Sequence, residues 1–92
     1  MKELKLKSSM MRKNRYLLLD AESKESVEKA ILDYIGILGW AKAAPFFVEE
    51  KGRNIILAID RGSVNEVRGA FELSQHKINV KKVSGTLKGL KN

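Results

Sequence analysis

Two stretches of the chain are apolar at nearly every position. Residues 15–20 and 54–60 are short runs of aliphatic residues, with Tyr16 as their one aromatic member. Such runs are typical of β-strands that are covered on both faces, whereas a half-exposed strand alternates apolar and polar residues. Both segments are therefore predicted to be central strands of a sheet.

Two further strand-like segments contain residues that disfavour a central position. Residues 41–50 include Pro45, which cannot donate a hydrogen bond to a neighbouring strand from inside a sheet. Residues 78–83 include Lys81 and Lys82, which discourage pairing with another exposed strand. Both segments are predicted to be edge strands.

A helical period of apolar residues follows the first strand, at the i, i+3, i+4, i+7 spacing of a helix with one buried face. Ser23 is predicted as its N-cap and Gly39 as the left-handed residue after its C-terminus. Trp40 would then pack on Ile35. Gly36 costs about 1 kcal/mol relative to alanine inside a helix, so it predicts close packing against another element. The predicted buried face consists of Val27, Ala30, Ile31, Tyr34, Ile35 and Leu38.

A second helix is predicted between residues 54–60 and 78–83. Ser63 and Glu66 have the spacing of a capping box, so the helix is predicted to begin at Ser63. His76 is the only histidine, and we expect it to meet the last carbonyls of this helix and to take no part in catalysis. The predicted buried face consists of Val64, Val67, Ala70 and Phe71.

The resulting order is β-α-β-β-α-β, which predicts an α+β fold of the ferredoxin-like type. In this arrangement a four-stranded antiparallel sheet has two helices on one face, and its first and third strands are central. The strand positions inferred above agree with that topology. We expect residues 13–92 to form this single domain, ending in a basic C-terminal tail, and residues 1–12 to be a flexible basic segment.

Alternation along the two central strands predicts which side chains face the helices. The inward set is Leu17, Leu19, Ile55, Leu57 and Ile59, and the outward set is Tyr16, Leu18, Ile56 and Ala58. The outward set lacks the aromatic pattern on which an RNA-recognition motif stacks bases, so base stacking across the sheet is disfavoured. We expect a protein partner, or a tail of the chain, to cover this face. The alternative is that the outward set belongs to the core.

Positive charge is concentrated at the two ends of the chain. Residues 1–15 carry a net charge of +5 and residues 76–92 another +5, whereas residues 16–75 carry −3, for a total of +7. This distribution indicates attraction to a polyanion, because each neutralised phosphate releases condensed counterions. The alternative is a globular protein with lysine-rich ends and no nucleic-acid partner.

Composition excludes several classes of protein. The chain has no cysteine, which excludes disulfides, thiolate metal sites and thiol catalysis. It has no run of about 20 apolar residues for a membrane span and no apolar block of a secretory signal after the basic N-terminus. We therefore expect an intracellular protein, located in the cytoplasm, without a membrane partner.

Four segments together resemble the archaeal and eukaryotic family of ribonuclease P protein component 2, the Pop-five-type subunit. They are "KNRYLLLD", "LGWAKAAP", "AIDRGSVNEVRGAF" and, as the most specific, the terminal "VSGTLKGLK". The resemblance runs from about Lys13 to Lys91, which is nearly the whole chain.

The resemblance implies a non-catalytic subunit of a ribonucleoprotein that removes the 5′ leader from precursor tRNA. In this family the RNA is the catalyst and uses bound Mg²⁺, so the resemblance implies no cofactor for the chain itself. It also implies three partners: the ribonuclease P RNA, precursor tRNA indirectly, and component 3, a TIM-barrel-like subunit. With component 3, two copies of this chain would form a dimer of heterodimers.

A candidate phosphate site lies at the end of the last predicted strand. Ser84, Gly85 and Thr86 offer two hydroxyls and accessible backbone N–H groups, which suit phosphate oxygens. Without the resemblance, the better interpretation of these three residues is an ordinary turn. The full set of predicted RNA-binding residues is Arg12, Lys13, Arg15, Lys81, Lys82, Ser84, Gly85, Thr86, Lys88 and Lys91.

Other functional classes fit the sequence less well. A general RNA-binding or ribosomal protein shares the charge but should act without component 3, and a metabolite-binding regulatory domain gives the basic ends no role. A nuclease needs a carboxylate cluster for metal ions, and Asp60 beside Arg61 is better explained as a solvated turn. No catalytic or metal-binding residue is predicted. Arg61 and Arg68 can contact RNA or a protein partner, with a surface ion pair as the alternative.

Overall fold

The computed structural model describes residues 14–91, without the side chain of Lys91, and shows an antiparallel sheet with helices packed on it. The elements are β1 (Asn14–Asp20), α1 (Lys24–Ala43), β2 (Phe46–Lys51), β3 (Asn54–Asp60), a 3₁₀ turn (Arg61–Ser63), α2 (Val64–Leu73), β4 (Asn79–Ser84) and α3 (Leu87–Lys91). The predicted ferredoxin-like fold is confirmed, and α3 is an addition to it. The N-terminal segment 1–12 lies outside the described residues.

The strand order is β2-β3-β1-β4, and each neighbouring pair is antiparallel. The two continuously apolar segments are therefore central and the other two are at the edges, as predicted. Pro45 lies just before the first residue of β2, so its missing N–H removes no hydrogen bond from the sheet.

The core lies between the sheet and the two long helices. The five inward side chains predicted from the central strands are fully buried, together with Val27 and Ile31 of α1 and Val67 of α2. Burial of a large aliphatic side chain stabilises the fold by about 1.5–3 kcal/mol, so these residues supply much of the driving force for folding. The predicted parity of the central strands and the predicted buried face of α2 are confirmed. No helix in the described part of the chain is long and apolar enough to cross a bilayer.

The two glycines of α1 have the opposite roles to those predicted. Gly36 has φ 71° and ψ −177°, a conformation that side chains rarely adopt, and a Cβ placed on it would meet nothing within 4 Å. Gly39 is helical, and a Cβ there would lie 2.7 Å from the Ile35 Cβ. Gly36 therefore breaks the helix, and Gly39 allows the second part of α1 to approach Ile35.

The break at Gly36 changes which residues of α1 are buried. Ser23 caps the helix as predicted, since its Oγ accepts a hydrogen bond from the Ser26 N–H at 3.2 Å. The predicted end at Gly39 is wrong: α1 continues to Ala43, and Ala44 closes it in the left-handed conformation before Pro45. The prediction that Tyr34 and Leu38 lie on the buried face is also wrong. Leu38 is 86% exposed, because the break at Gly36 interrupts the helical period before it. Tyr34 precedes the break and is 46% exposed, and its hydroxyl donates to the Leu73 carbonyl of α2 at 2.8 Å.

The predicted capping box of α2 is not formed. Ser63 makes no capping hydrogen bond, and its Oγ is buried without a partner among the described residues. Asp60 acts instead, because its Oδ2 accepts a hydrogen bond from the Gly62 N–H at 2.9 Å and so caps the 3₁₀ turn. The prediction failed because the turn places Ser63 inside the protein instead of at an exposed helix end.

Changing Ser63 to alanine is expected to leave the free energy of unfolding unchanged or to raise it by up to about 1 kcal/mol, since a buried unpaired hydroxyl is destabilising. The matched control is Ser23→Ala, which removes a real cap and is expected to lower that free energy by about 1 kcal/mol. Urea unfolding followed by circular dichroism measures both. Equal losses in the two variants would mean that Ser63 does cap α2.

Candidate nucleic-acid interface

A bulge in β4 places two adjacent lysines on the same face of the sheet. Val80 and Val83 both pack against the core, although they are three positions apart. The register of β4 on β1 shifts between Leu18 and Leu19, which accommodates the extra residue. Lys81 and Lys82 therefore both lie on the side away from the core, where their exposed ammonium groups add to one surface.

This surface, the outward face, is the side of the sheet opposite α1 and α2. Its side chains form three rows that cross the strands in the order β2, β3, β1, β4. The rows are Phe46, Ala58, Tyr16, Ser84; then Glu49, Ile56, Leu18, Lys82; then Lys51, Asn54, Asp20, Asn79. The basic residues of the face lie mainly toward β4, whereas Glu49 lies on the β2 side.

The turn after β4, residues 84–86, is organised by its own hydroxyl groups. Ser84 Oγ accepts a hydrogen bond from the Thr86 N–H at 3.2 Å, and Thr86 Oγ1 accepts one from the Gly89 N–H at 3.0 Å. The prediction that backbone N–H groups here are unobstructed is therefore wrong for Thr86. Each hydroxyl still has its own O–H to donate, because a hydroxyl is both a donor and an acceptor.

The helix α3 folds back from this turn over the outward face. A Cβ on Gly89 would overlap Ser84 Oγ, so a larger residue would force the Ser84 hydroxyl to rotate away from its hydrogen bond with the Thr86 N–H. Leu90 is 5% exposed and lines a cleft together with Leu18 and Ile56 of the outward set. The outward face was expected to be covered by a protein partner or by a tail of the chain, and among the described residues α3 is such a tail. Of the outward set, Ile56 and Ala58 are buried, and Tyr16 and Leu18 are half-buried.

Arg15 is adjacent to the turn, although the two are far apart in sequence. Tyr16 pairs with Ser84, and a Cβ on Gly85 would lie 3.6 Å from Arg15 Nη1. The guanidinium is oriented by a hydrogen bond from Nη1 to the Asn14 carbonyl oxygen at 3.2 Å. The fold thus brings one basic residue of the first strand to the predicted phosphate site at the other end of the chain.

The structure describes some of the other predicted RNA-binding residues and not the rest. Lys88 is exposed on α3, next to the turn. Arg12, Lys13 and the side chain of Lys91 lie outside the described part of the chain. The structure therefore brings Arg15, Lys82, residues 84–86 and Lys88 together, with Lys81 farther along β4.

Arg61 and Arg68, which were predicted to contact either RNA or a protein partner, lie in different parts of the fold. Arg61 is exposed and follows Asp60, which pairs with Asn14, so it lies at the same end of the sheet as Arg15. Arg68 is exposed on α2, on the helix side of the sheet. Of the two, only Arg61 thus lies at the end of the sheet that holds the predicted phosphate site.

The opposite end of the sheet is polar and paired. Arg53 Nε and Asp20 Oδ1 form an ion pair at 2.8 Å, and Lys81 Nζ donates to Asn54 Oδ1 at 3.2 Å.

His76 is near this end, and its backbone N–H donates to Ser74 Oγ at 2.9 Å. The prediction that His76 meets the last carbonyls of α2 is wrong: among the described residues no hydrogen bond joins its imidazole to α2, and the Leu73 carbonyl accepts instead from the Tyr34 hydroxyl at 2.8 Å. Within residues 14–91, no three His, Asp or Glu side chains form a group that can hold a metal ion.

Several exposed apolar side chains were missed from the sequence, among them Leu73, which is 69% exposed at the end of α2. Phe46 is 66% exposed at the start of β2, and its signal was the Phe-Phe pair, of which a strand can bury only one on a given face. Ile37 is 77% exposed on α1, close to Leu38 and on the helix side. Ile37 was not on the predicted buried face, but its neighbour Leu38 was, and the exposure of Leu38 follows from the break at Gly36, which the helical spacing did not reveal.

Comparison with known proteins gives two curated relatives, and no protein-family model matches the chain. "Ribonuclease P protein component 2" of Thermococcus gammatolerans is 40% identical over 79 residues, which cover 76% of this chain and 65% of that protein. "Ribonuclease P protein component 2" of Thermococcus kodakarensis is 35% identical over 96 residues, which cover 86% of this chain and 80% of that protein. The chain thus spans just under two thirds of the first relative and four fifths of the second.

Proposed function

The chain belongs to the ribonuclease P protein component 2 family, and we propose that it is a non-catalytic protein subunit of ribonuclease P that supports the catalytic RNA in removing the 5′ leader from precursor tRNA. The observation that carries this proposal is the identity of 35% with a relative of which the chain covers 80%. The basic residues on the β4 side of the outward face support it, because RNA is a polyanion.

The proposed role of the turn after β4 and of the adjoining part of the outward face is to hold RNA phosphates. Arg15 has the alternation of the inward set, and its planar guanidinium reaches the turn at Gly85, where it can donate to phosphate oxygens. Lys82 on the outward face and Lys88 on α3 add point charges to the same turn. The hydroxyls of Ser84 and Thr86 supply directional donors between these charges. Contacts of this kind fix the position and orientation of a folded RNA without reading its sequence.

We assign the chemistry to the RNA and its Mg²⁺ ions, and propose no cofactor for the chain. Hydrolysis of a phosphodiester by two metal ions needs clustered carboxylates, and the acidic residues at the outward face are dispersed: Asp20 is paired with Arg53, and Glu49 lies on another strand. What the protein can contribute is neutralisation of phosphate repulsion, which lowers the Mg²⁺ concentration that the folded RNA requires.

The proposed partners are ribonuclease P RNA, component 3 and, through the RNA, precursor tRNA, with two copies of the chain in a heterotetramer. Two apolar surfaces are available to a protein partner. One is the half-buried rim of the outward face at Tyr16 and Leu18, which stays a prediction, and the other is the exposed patch of Ile37 and Leu38 on the helix side. We place the complex in the cytoplasm, by its role in tRNA processing.

A leader-cleavage assay at limiting Mg²⁺ tests this function. Ribonuclease P RNA and component 3 are held constant, and cleavage of precursor tRNA is measured with and without the full chain. We expect the chain to raise the cleavage rate at low Mg²⁺ and to have little effect at high Mg²⁺, where the ions alone screen the phosphates. No stimulation at any Mg²⁺ concentration would contradict the proposal. RNA binding without stimulation, and without co-purification of component 3, would instead indicate a general RNA-binding protein.

A further inference from the structure

An exposed aromatic side chain stands at one end of the first row of the outward face. Phe46 is 66% exposed, whereas the adjacent Phe47 packs against the core. Because successive side chains of a strand point to opposite faces, Phe46 points outward, in the row that continues through Ala58 and Tyr16 to Ser84. The fold gains little from a ring exposed to this extent, since an aromatic residue stabilises a protein mainly when it is buried.

Charge differs between the two ends of this row. At the β4 end, Ser84 lies next to Lys82 and close to Arg15, so the electrostatics favour phosphate there. At the β2 end, the next two rows hold Glu49 and Lys51, which have opposite charges, so positive charge is not concentrated there. Phe46 offers RNA an uncharged contact at this end, because the face of an aromatic ring can stack on a base.

We propose that Phe46 stacks on an unpaired base of the same RNA whose phosphates lie at Ser84. The proposal rests on the proposed function and deepens it, because it makes single-stranded RNA the ligand of the outward face. Adjacent strands are about 4.8 Å apart, so the backbones of Phe46 and Ser84 are about 14 Å apart across the row, within reach of a short single-stranded segment. Bases in a duplex are stacked on one another and are not accessible to the ring.

This assignment revises the expectation that base stacking on the sheet is disfavoured. That expectation considered the two central strands, where Ile56 and Ala58 stand at the outward positions. The aromatic ring comes from the edge strand β2 instead, with Tyr16 as the second aromatic member of its row. The stacking platform therefore differs in position from that of an RNA-recognition motif but uses the same physical contact.

The test measures binding of the full chain to two fluorescent RNAs, a single-stranded oligoribonucleotide of mixed sequence and a hairpin with the same number of phosphates. Phe46→Ala is expected to weaken binding of the single strand about 5- to 100-fold, the range of one lost base stack. The hairpin affinity and the salt dependence should not change, because no phosphate contact is lost. Phe46→Tyr should bind like the wild type, since its ring still stacks. Leu38→Ala is the matched control: it truncates another exposed apolar side chain, on the helix side.

Three outcomes separate the alternatives. If Phe46→Ala binds the single strand as tightly as the wild type, while variants of the lysines near Ser84 bind weakly, the stacking site does not exist and the proposed function stands. If Phe46→Ala keeps its RNA affinity but no longer co-purifies with component 3, the ring belongs to a protein interface and the inference is overturned. If the wild type binds neither RNA, the RNA contact of the proposed function fails together with this inference.

Discussion

Changing Lys81, Lys82 and Lys88 together to alanine is expected to weaken binding of the full chain to ribonuclease P RNA about a hundredfold at about 0.15 M salt. The three side chains are exposed on β4 and α3, around the turn of residues 84–86. Each phosphate contact contributes about 0.7–0.9 to the slope of log affinity against log salt, so three lost contacts should reduce the slope by about 2–3 units. Fluorescence anisotropy over a series of salt concentrations measures both quantities.

The control variant also loses three positive charges, but from lysines outside the outward face. Lys29 and Lys42 are exposed on α1, and Lys77 is exposed in the loop before β4, at the far end of the sheet from Ser84. Their combined change to alanine should leave the salt slope within about half a unit of the wild type, because charges beyond a Debye length of about 8 Å are screened. Equal losses of affinity in the two triple variants would show that net charge, and not the outward face, attracts the RNA.

The central and edge strands could be predicted because their signals are local and the topology is restrictive. Continuous apolar runs, Pro45 and the adjacent Lys81 and Lys82 each limit where a strand can lie, and one arrangement satisfies all of them. The bulge in β4 also had a signal, since apolar residues three positions apart, Val80 and Val83, cannot both face inward from a regular strand. That signal explains why both lysines of the strand are on the outward face.

The candidate site was predictable in composition but not in geometry. The resemblance selected Ser84, Gly85 and Thr86, and the fold brings Arg15 to them through the pairing of β1 with β4. The hydrogen bond from the Gly89 N–H to Thr86 Oγ1 depends on α3, which has five residues and is too short to produce a helical period. Phe46 was missed because outward residues were considered only on the central strands.

The behaviour of α1 could not be predicted, because two glycines three positions apart are equivalent in a helical pattern. Tertiary packing decides between them. A continuous helix would place Leu38 on the buried face, but the break at Gly36 lets Ala43 become fully buried and Trp40 pack against the core instead. Helix propensity does not distinguish the two glycines. Burial of apolar side chains of α1 against the sheet decides which of them breaks the helix.

The break at Gly36 is tested by whether alanine at this position raises or lowers the free energy of unfolding. Changing Gly36 to alanine is expected to lower the free energy of unfolding by about 1–3 kcal/mol, because its φ of 71° and ψ of −177° are essentially restricted to glycine. The space around it is open, so the loss comes from the backbone and not from a steric clash of the new methyl group. Urea unfolding followed by circular dichroism measures the change.

Gly69 provides the matched control, because it lies inside α2 with ordinary helical geometry and open space around its Cα. Gly69→Ala is expected to raise the free energy of unfolding by about 0.5–1 kcal/mol, the usual gain when alanine replaces glycine in a helix. Opposite signs at the two positions support a broken α1. If both variants are stabilised, α1 is continuous in solution, and the exposed patch of Ile37 and Leu38 loses its structural basis, since a continuous helix would turn Leu38 toward the core.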